Sequence, residues 1–289
     1  MEYALLSLTV LLLTLQKLCQ KRFSAANRSG ALLFGGLISL CAMVVFAAVT
    51  ASSRTWTWHP SLLFPAVGFG VSYAMGTVFT VLAIRYGSLA RTTLITSYSL
   101  LVPALAGLVI LREPITPTLI VGMMLVALSL WLTNQRIAER GGQIALKWVV
   151  CVALGFTGNG LCSTVQKLAP RYIPQGKLNQ NAYMTVALGL SACLLMVASL
   201  LTREPDRRTT LRRSAPLAIL CGLCNSGVNL LVLYLNGRVP ASVLFPTVSV
   251  GQIILICLYA SLICRERHTK RQWLGFSAGI AAVILLNLS

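Results

Sequence analysis

Acidic residues are scarce in this sequence: only 6 of its 289 residues are Asp or Glu, and only 2 are His. Charged residues of both signs make up 10% of the chain, whereas a typical soluble domain has about 25%. This shortage excludes an ordinary soluble domain and leaves little material for a metal site or for acid–base chemistry. Hydrophobic residues make up 56% of the chain, which is the composition of an integral membrane protein.

Basic residues are the exception to this shortage, because 24 Lys and Arg give the chain a net charge of +18. They lie in short clusters between long apolar runs, whereas a nucleic-acid surface needs a basic stripe on a polar face. The sequence therefore predicts no nucleic-acid partner. The nine cysteines lie mostly inside the apolar runs, where they act as small packing residues. Neither a metal nor a cofactor is predicted.

Ten apolar runs are long enough to cross a lipid bilayer as helices, which takes about 20 residues each. Their approximate bounds are residues 3–22, 30–50, 61–84, 89–111, 116–134, 147–169, 181–201, 215–236, 240–263 and 271–288. The connections between them are short and contain helix-breaking residues. The predicted fold class is an all-α integral membrane protein with ten transmembrane helices, referred to below as predicted helices 1 to 10.

The two halves of the chain carry the same short motifs in the same order. Thr-Leu-Gln-Lys-Leu at residues 14–18 returns as Thr-Val-Gln-Lys-Leu at residues 164–168, an offset of 150. The Arg-Glu pair at residues 112–113 returns at residues 265–266, an offset of 153. The register predicts one repeat over residues 2–135, with helices 1–5, and a second over residues 147–289, with helices 6–10. Because five is an odd number, the second repeat enters the membrane inverted, as in many secondary transporters.

The same segments resemble a known family, the drug/metabolite transporter superfamily with its EamA-type halves. The similarity lies in Arg85-Tyr86-Gly87-Ser88-Leu89-Ala90 through Arg112-Glu113 and Gly122, and in Val239-Pro240-Ala241-Ser242 through Arg265-Glu266 and Gly275. It covers nearly the whole chain and implies a ten-helix transporter. It also implies that helices 1, 3, 4, 6, 8 and 9 surround a central cavity, with helices 5 and 10 more peripheral.

Polar side chains recur inside the predicted helices that this resemblance assigns to the cavity. Since polar groups are costly in lipid, they face a cavity or a neighbouring helix. The candidate substrate-binding residues are Gln16, Lys17, Tyr73, Asn159, Gln166, Lys167, Asn225, Asn229 and Gln252. Hydrogen bonding between helices is the alternative role for the amides, and snorkelling to the lipid interface is the alternative for the two lysines.

No Asp, Glu or His lies in the middle of a predicted helix. Enzymes embedded in the membrane need a positioned acid, base, metal or nucleophile, so no catalytic residue is predicted and the protein is not expected to be an enzyme. The branch of the superfamily that exports organic cations by proton exchange relies on a Glu within helix 1, a pattern from which this chain departs. Glu113 and Glu266 are predicted to cap helices or to pair with adjacent arginines.

The predicted function is secondary transport of a small polar metabolite by alternating access, in the plasma (inner) membrane. A flippase for a lipid-linked substrate is one alternative, and a membrane scaffold or sensor without transport is another from a different class. The lack of buried carboxylates and the presence of Lys17 and Lys167 favour a neutral or anionic solute over a cation. The lipid bilayer is the second partner. The small residues Gly275 and Gly279 favour packing against a neighbouring helix of the same chain, and a homodimer is the alternative.

The distribution of basic residues bears on the orientation of the chain. The connections that follow odd-numbered helices hold 18 of the Lys and Arg residues, and the others hold 6. The positive-inside rule then places the odd connections in the cytoplasm and both termini outside. The family resemblance implies cytoplasmic termini instead, so both orientations stay open.

Overall fold

The computed structural model of the chain describes residues 2–27, 29–52, 59–87, 89–99, 101–110, 112, 116–133, 142–169, 179–202, 207–236, 238–262 and 270–287. Regular structure in these ranges is helical throughout, which confirms the predicted all-α class. The helices are α1 (Glu2–Ala26), α2 (Ala31–Ser52), α3 (Leu63–Tyr86), α4 (Leu89–Tyr98), α5 (Leu101–Ile110), α6 (Pro117–Thr133), α7 (Gly142–Leu168), α8 (Gln180–Leu201), α9 (Arg207–Asn236), α10 (Ala241–Leu262) and α11 (Lys270–Asn287), and a 3₁₀ turn at Pro60–Leu62 precedes α3. The expected helix caps Glu113 and Glu266 lie outside the described residues, as does residue 135 at the predicted end of the first repeat.

Six of the described helices are long and apolar enough to cross a membrane. These segments are Glu2–Ala26, Ala31–Ser52, Pro60–Tyr86, Leu146–Leu168, Gln180–Leu201 and Ser214–Leu235, which correspond to predicted helices 1, 2, 3, 6, 7 and 8. Predicted helices 5, 9 and 10 contain shorter apolar stretches, namely Pro117–Ser129, Val243–Ile256 and Trp273–Ala282. The chain is therefore a multi-pass membrane protein, and the total of ten spans stays a prediction.

Predicted helix 4 is divided into α4 and α5, so the expectation of one continuous helix over residues 89–111 is wrong. Pro103 has no N–H to bond the carbonyl of Ser99, four residues earlier. That carbonyl instead accepts from Val102 N at 3.1 Å, and Ser99 N bonds the Thr96 carbonyl at 3.2 Å. These tighter turns, closed over three residues instead of four, separate the two helices at the level of Ser99.

The helices of the first half pack mainly on helices of the second half. In the first half, α3 lies against α7 and α8, while α2 lies against α8 and α9. Similarly, α1 contacts α9 and α10, α4 and α5 contact α7 and α10, and α6 pairs with α11. Between the repeats, α1, α2 and α3 correspond to α7, α8 and α9. The α3–α7 contact therefore corresponds to the α9–α1 contact, and the α3–α8 contact to the α9–α2 contact.

The helices α2 and α8 cross in antiparallel directions. The successive contacts are Gly36 with Met196, Ser39 with Ser191, and Met43 with Gly189. At the middle of the crossing, Ser39 Oγ and Ser191 Oγ share a buried hydrogen bond of 3.1 Å. These two serines are 152 residues apart, which lies between the offsets of 150 and 153 that relate the sequence motifs. Small residues on both helices permit this close approach.

The small-residue face of α11 packs against α6 of the same chain. Ser129 Oγ donates to the carbonyl of Gly275 at 2.7 Å. A Cβ on Gly279 would lie 2.7 Å from Ser129 Oγ and 2.9 Å from Val250 Cγ1. This face is therefore occupied within the protomer, and a homodimer, which stays a prediction, needs another surface.

Candidate binding cavity

A cavity of about 130 Å³ lies among six segments of the helical assembly. Its lining side chains come from α1, α3, α4, α7, α9 and α10, together with Ser99 between α4 and α5. These segments correspond to predicted helices 1, 3, 4, 6, 8 and 9, the set that the family resemblance implied. The polar and charged lining residues are Gln16, Lys17, Gln20, Tyr73, Thr77, Thr80, Thr96, Ser99, Asn159, Ser163, Gln166, Asn225, Asn229 and Gln252.

The structure brings eight of the nine candidate binding residues to this one cavity. They are Gln16, Lys17, Tyr73, Asn159, Gln166, Asn225, Asn229 and Gln252. The ninth, Lys167, is partly buried but does not line the cavity. The two lysines of the repeated Gln-Lys motif therefore have different surroundings, and only Lys17 has access to a ligand in this conformation.

Gln20 is a lining residue that the sequence prediction missed. Its side chain is 2% exposed, and it lies one helical turn beyond Gln16 on α1. The signal was present in the sequence, because residues four apart on a helix share a face. Gln20 lies close to the end of the apolar run, where a polar residue is commonly assigned to the lipid interface instead of a cavity.

Two asparagines on α9 form a hydrogen-bonded pair at the cavity. Asn229 Nδ2 donates to the backbone carbonyl of Asn225 at 2.9 Å and to Asn225 Oδ1 at 3.1 Å. Both side chains are buried, with 4% exposure for Asn225 and 8% for Asn229. The four-residue spacing places them on one face of the helix, directed away from lipid.

The opposite wall is the closely packed crossing of α3 and α7. Asn159 Nδ2 donates to Thr80 Oγ1 at 3.2 Å, which ties the two helices together. A Cβ on Gly158 would lie 2.7 Å from Gly76 Cα and 2.8 Å from the Ser72 carbonyl. Because these neighbours are backbone atoms, only glycine permits the approach that places Asn159 beside α3.

Several polar atoms at the cavity have no hydrogen-bond partner among the residues that the structure describes. They include Gln20 Oε1, Gln166 Nε2 and Asn225 Nδ2. Leaving a buried polar group unsatisfied costs about 1–3 kcal/mol. Such groups in a polar cavity are typically satisfied by water or by a ligand.

Lys17 is the charged residue among the described side chains that line the cavity. The sequence contains no Asp or Glu between Glu2 and Glu113, or between Asp206 and Glu266. The helices α1, α3, α9 and α10 therefore provide no carboxylate at a lining position. A positive charge without a carboxylate partner makes the electrostatic potential of the cavity positive.

The lining positions repeat between the halves for one pair of helices and shift for another. On α3 the lining residues are 73, 76, 77 and 80, and on α9 they are 225, 228, 229 and 232, an offset of 152 throughout. On α1 they are 13, 16, 17 and 20, and on α7 they are 159, 162, 163 and 166. The motif offset of 150 pairs residue 16 with residue 166 and residue 20 with residue 170. The lining ends at residue 20 on α1 but at residue 166 on α7, so the cavity extends one turn further toward the C-terminal end of α1 than toward that of α7. This shift explains why Lys17 lines the cavity and Lys167 does not.

A bundle of apolar helices around a polar cavity is the architecture of a membrane transport protein. Residues 146–288 match the EamA-like transporter family. The second half of the chain is thus EamA-like, which supports membership of the drug/metabolite transporter superfamily and confirms the resemblance given by its sequence motifs. No curated protein matches the sequence.

A solved structure shares the fold over nearly the whole chain. The match covers 98% of this chain and 96% of the other, with a TM-score of 0.69 and 14% sequence identity. At this identity the likeness concerns the fold alone. It extends across both halves, whereas the family match covers the second half.

Proposed function

We propose that the protein is a secondary transporter that carries a small polar metabolite across the plasma (inner) membrane by alternating access. The observation that carries this proposal is the cavity itself. It is lined by buried amides with unsatisfied hydrogen-bonding atoms and is enclosed by helices of both halves in a chain of a transporter family. A bound polar solute would satisfy those atoms.

The packing of α2 on α8 supports two inverted five-helix repeats around this cavity. A residue that contacts its own repeat counterpart lies on the axis relating the repeats, and Ser39 contacts Ser191 at an offset of 152 residues, within the range of the motif offsets. The two helices run antiparallel at that contact. An axis in the membrane plane produces antiparallel counterparts, whereas an axis along the membrane normal would produce parallel ones.

The dimensions of the cavity favour a small solute over a lipid-linked one. An engineered cavity of about 150 Å³ holds a molecule of the size of benzene, and this cavity has about 130 Å³. A scaffold would need no polar cavity, and a sensor would bind a solute there without exchanging it across the membrane. The lining also favours a neutral or anionic solute, because Lys17 has no carboxylate beside it.

The test is a thermal-stability screen of metabolites on the purified protein, followed by counterflow in liposomes. A ligand that binds only the folded state raises the unfolding midpoint. We expect at least one small polar metabolite to stabilise the protein and to exchange across liposomes that contain it, with no covalent product formed.

Protein-free liposomes and liposomes with the Gln166→Leu variant are the controls. Gln166→Leu removes an amide from the cavity while keeping a side chain of similar size. Stabilising ligands that never exchange across the membrane would contradict transport and favour a sensor.

A further inference from the structure

Two of the unsatisfied groups at the cavity are amide nitrogens, which only donate hydrogen bonds, and the Tyr73 hydroxyl, also without a partner among the described residues, can donate or accept. Gln166 Nε2 and Asn225 Nδ2 each carry two N–H bonds and have no partner among the described residues. Gln20 Oε1 is an acceptor in the same situation. Gln166 is 5% exposed and Asn225 4%, so bulk water does not satisfy them. A ligand that complements these groups must be rich in acceptors.

The donor character of Asn225 is fixed by its neighbour on α9. The backbone carbonyl of Asn225 can only accept, so the atom of Asn229 that contacts it is the nitrogen, Nδ2. The same nitrogen contacts the Asn225 side-chain amide, which must therefore present its oxygen to Asn229. Asn225 Nδ2 consequently remains a donor without a partner among the described residues, on a residue that lines the cavity.

Lys17 adds three further N–H donors and a positive charge on the neighbouring helix. Cys221 Sγ contacts the backbone carbonyl of Gln16 at 3.8 Å, so this part of α9 is level with Lys17. Asn225 lies one turn further along α9, about 6 Å away along the helix axis. Lys17 and Asn225 thus border the same part of the cavity, where the sequence supplies no carboxylate.

We propose that the cavity binds a small monocarboxylate, with the carboxylate between Lys17 and the Asn225 amide. This assignment rests on the transport function proposed above and names its substrate class. A carboxylate offers about four lone-pair sites to the surplus donors, and Gln166 lies in the same lining to donate to a further oxygen of the ligand. Gln20 Oε1 accepts from a hydroxyl or N–H of the ligand. A single lysine matches one negative charge, not two.

The first test compares three ligands with one carbon skeleton and different charge. They are lactate, lactamide and the protonated amine of 1-amino-2-propanol, each added to the purified protein at equal concentration and ionic strength. We expect lactate to raise the unfolding midpoint most, lactamide less, and the ammonium compound least. Strongest stabilisation by the ammonium compound, equal shifts for all three, or no shift with any would overturn the proposal.

The second test removes the charge of Lys17. We expect Lys17→Gln to weaken lactate binding at least tenfold, which is about 1.4 kcal/mol, and Lys17→Arg to retain most of the affinity. Lys147→Gln is the matched control, because Lys147 is exposed on α7 and does not line the cavity. Unchanged lactate affinity in Lys17→Gln would overturn the assignment.

If Lys17→Gln does not fold, Asn225→Asp tests the same point. Its carboxylate would pair with Lys17, so lactate stabilisation should be lost. Lactate binding that survives this substitution would contradict the proposed site.

Failure of this proposal and failure of the transport function give different results. A neutral or cationic ligand that binds best and exchanges across liposomes overturns the carboxylate assignment and leaves transport in place. Lactate that binds through Lys17 but never exchanges leaves the site in place and overturns transport.

Discussion

Asn229 acts on the cavity through its neighbour. Both hydrogen bonds from its Nδ2 go to Asn225, one to the backbone and one to the side chain. Under the proposed carboxylate site, Asn229 is a positioning residue as well as a lining residue, because it holds the Asn225 amide in the orientation that leaves Nδ2 without a partner among the described residues. A buried amide that is held in this way can discriminate between donor-rich and acceptor-rich ligands.

Asn229→Asp tests this role by inverting the hydrogen bond. A carboxylate at residue 229 would accept from Asn225 Nδ2, which turns the nitrogen away from the cavity and brings Oδ1 toward it. We expect the preference for lactate over lactamide to fall several-fold, as measured by titration of the two ligands. The added carboxylate lies at a cavity-lining position and itself disfavours lactate, so Asn229→Leu, which removes the hydrogen bond without adding a charge, is measured beside it and should lower the same preference. A purely structural role would lower both affinities alike in Asn229→Leu.

The matched control for Asn229→Asp is Ser226→Ala. Ser226 is buried on the same helix and bonds only the Gly222 carbonyl one turn earlier among the described residues, at 2.8 Å. It does not line the cavity. Its removal should leave the ratio of lactate to lactamide affinity unchanged, and a similar loss in both variants would contradict the positioning role.

At the scale of helices, the crossing of α3 and α7 is the tightest wall of the cavity, and its equivalent in the other half is looser. A Cβ on Gly158 would meet the backbone of Gly76 and Ser72. At the α1–α9 crossing, a Cβ on Gly227 would meet only the Leu12 Cδ1 atom, at 2.8 Å. The end of a leucine side chain can rotate away, whereas two helix backbones cannot separate without moving Asn159 from Thr80.

Gly158→Ala should therefore destabilise the protein. Overpacking of this kind typically costs about 1–3 kcal/mol, and we expect a clear fall in the unfolding midpoint of the detergent-solubilised protein. Gly68→Ala, on α3, is the control, because a Cβ there would lie 3.7 Å from the nearest Val165 atom. That variant should be neutral or slightly more stable, since alanine favours helices over glycine. Equal midpoints for the two variants would contradict the tight crossing.

The sequence predicted the helices and most of the cavity lining because both depend on local patterns. Apolar runs identify the helices, and a polar residue such as Asn225 or Gln166 inside a run must turn away from lipid. The different surroundings of Lys17 and Lys167 were not predictable, since they depend on how far α1 slides relative to α7. The division of helix 4 at Ser99 depends on Pro103 in a segment that is otherwise apolar and helical.

At the scale of the molecule, the cavity is not centred on the two repeats. Gln16 and its counterpart Gln166 both line it, but Lys17 does so without its counterpart Lys167. The cavity thus extends one turn further toward the C-terminal end of α1. In an inverted pair of repeats, that end and the C-terminal end of α7 lie toward opposite sides of the membrane. This asymmetry is what one of the two conformations of the proposed alternating access requires.

Under the proposed alternating access, the opposite conformation arises when the two halves exchange their arrangements. The lining of α7 would then shift by one turn toward its C-terminal end, which brings Lys167 to the cavity and removes Lys17 from it. Each conformation would present one lysine to the ligand, and the two lysines would become accessible to water from opposite sides of the membrane.

Single cysteines in place of these lysines test the exchange. In a protein with its nine native cysteines replaced, Lys17→Cys and Lys167→Cys would be treated in sealed vesicles with a membrane-impermeant thiol reagent, added from one side or the other. We expect each cysteine to react from one side only and the two from opposite sides, and lactate to slow the reaction of Lys167→Cys, the variant that retains Lys17. Lys147→Cys, exposed and away from the cavity, should react at a rate that lactate does not change. Reaction of residues 17 and 167 from the same side would exclude the exchange, because inverted halves cannot open both ends of the cavity to one compartment.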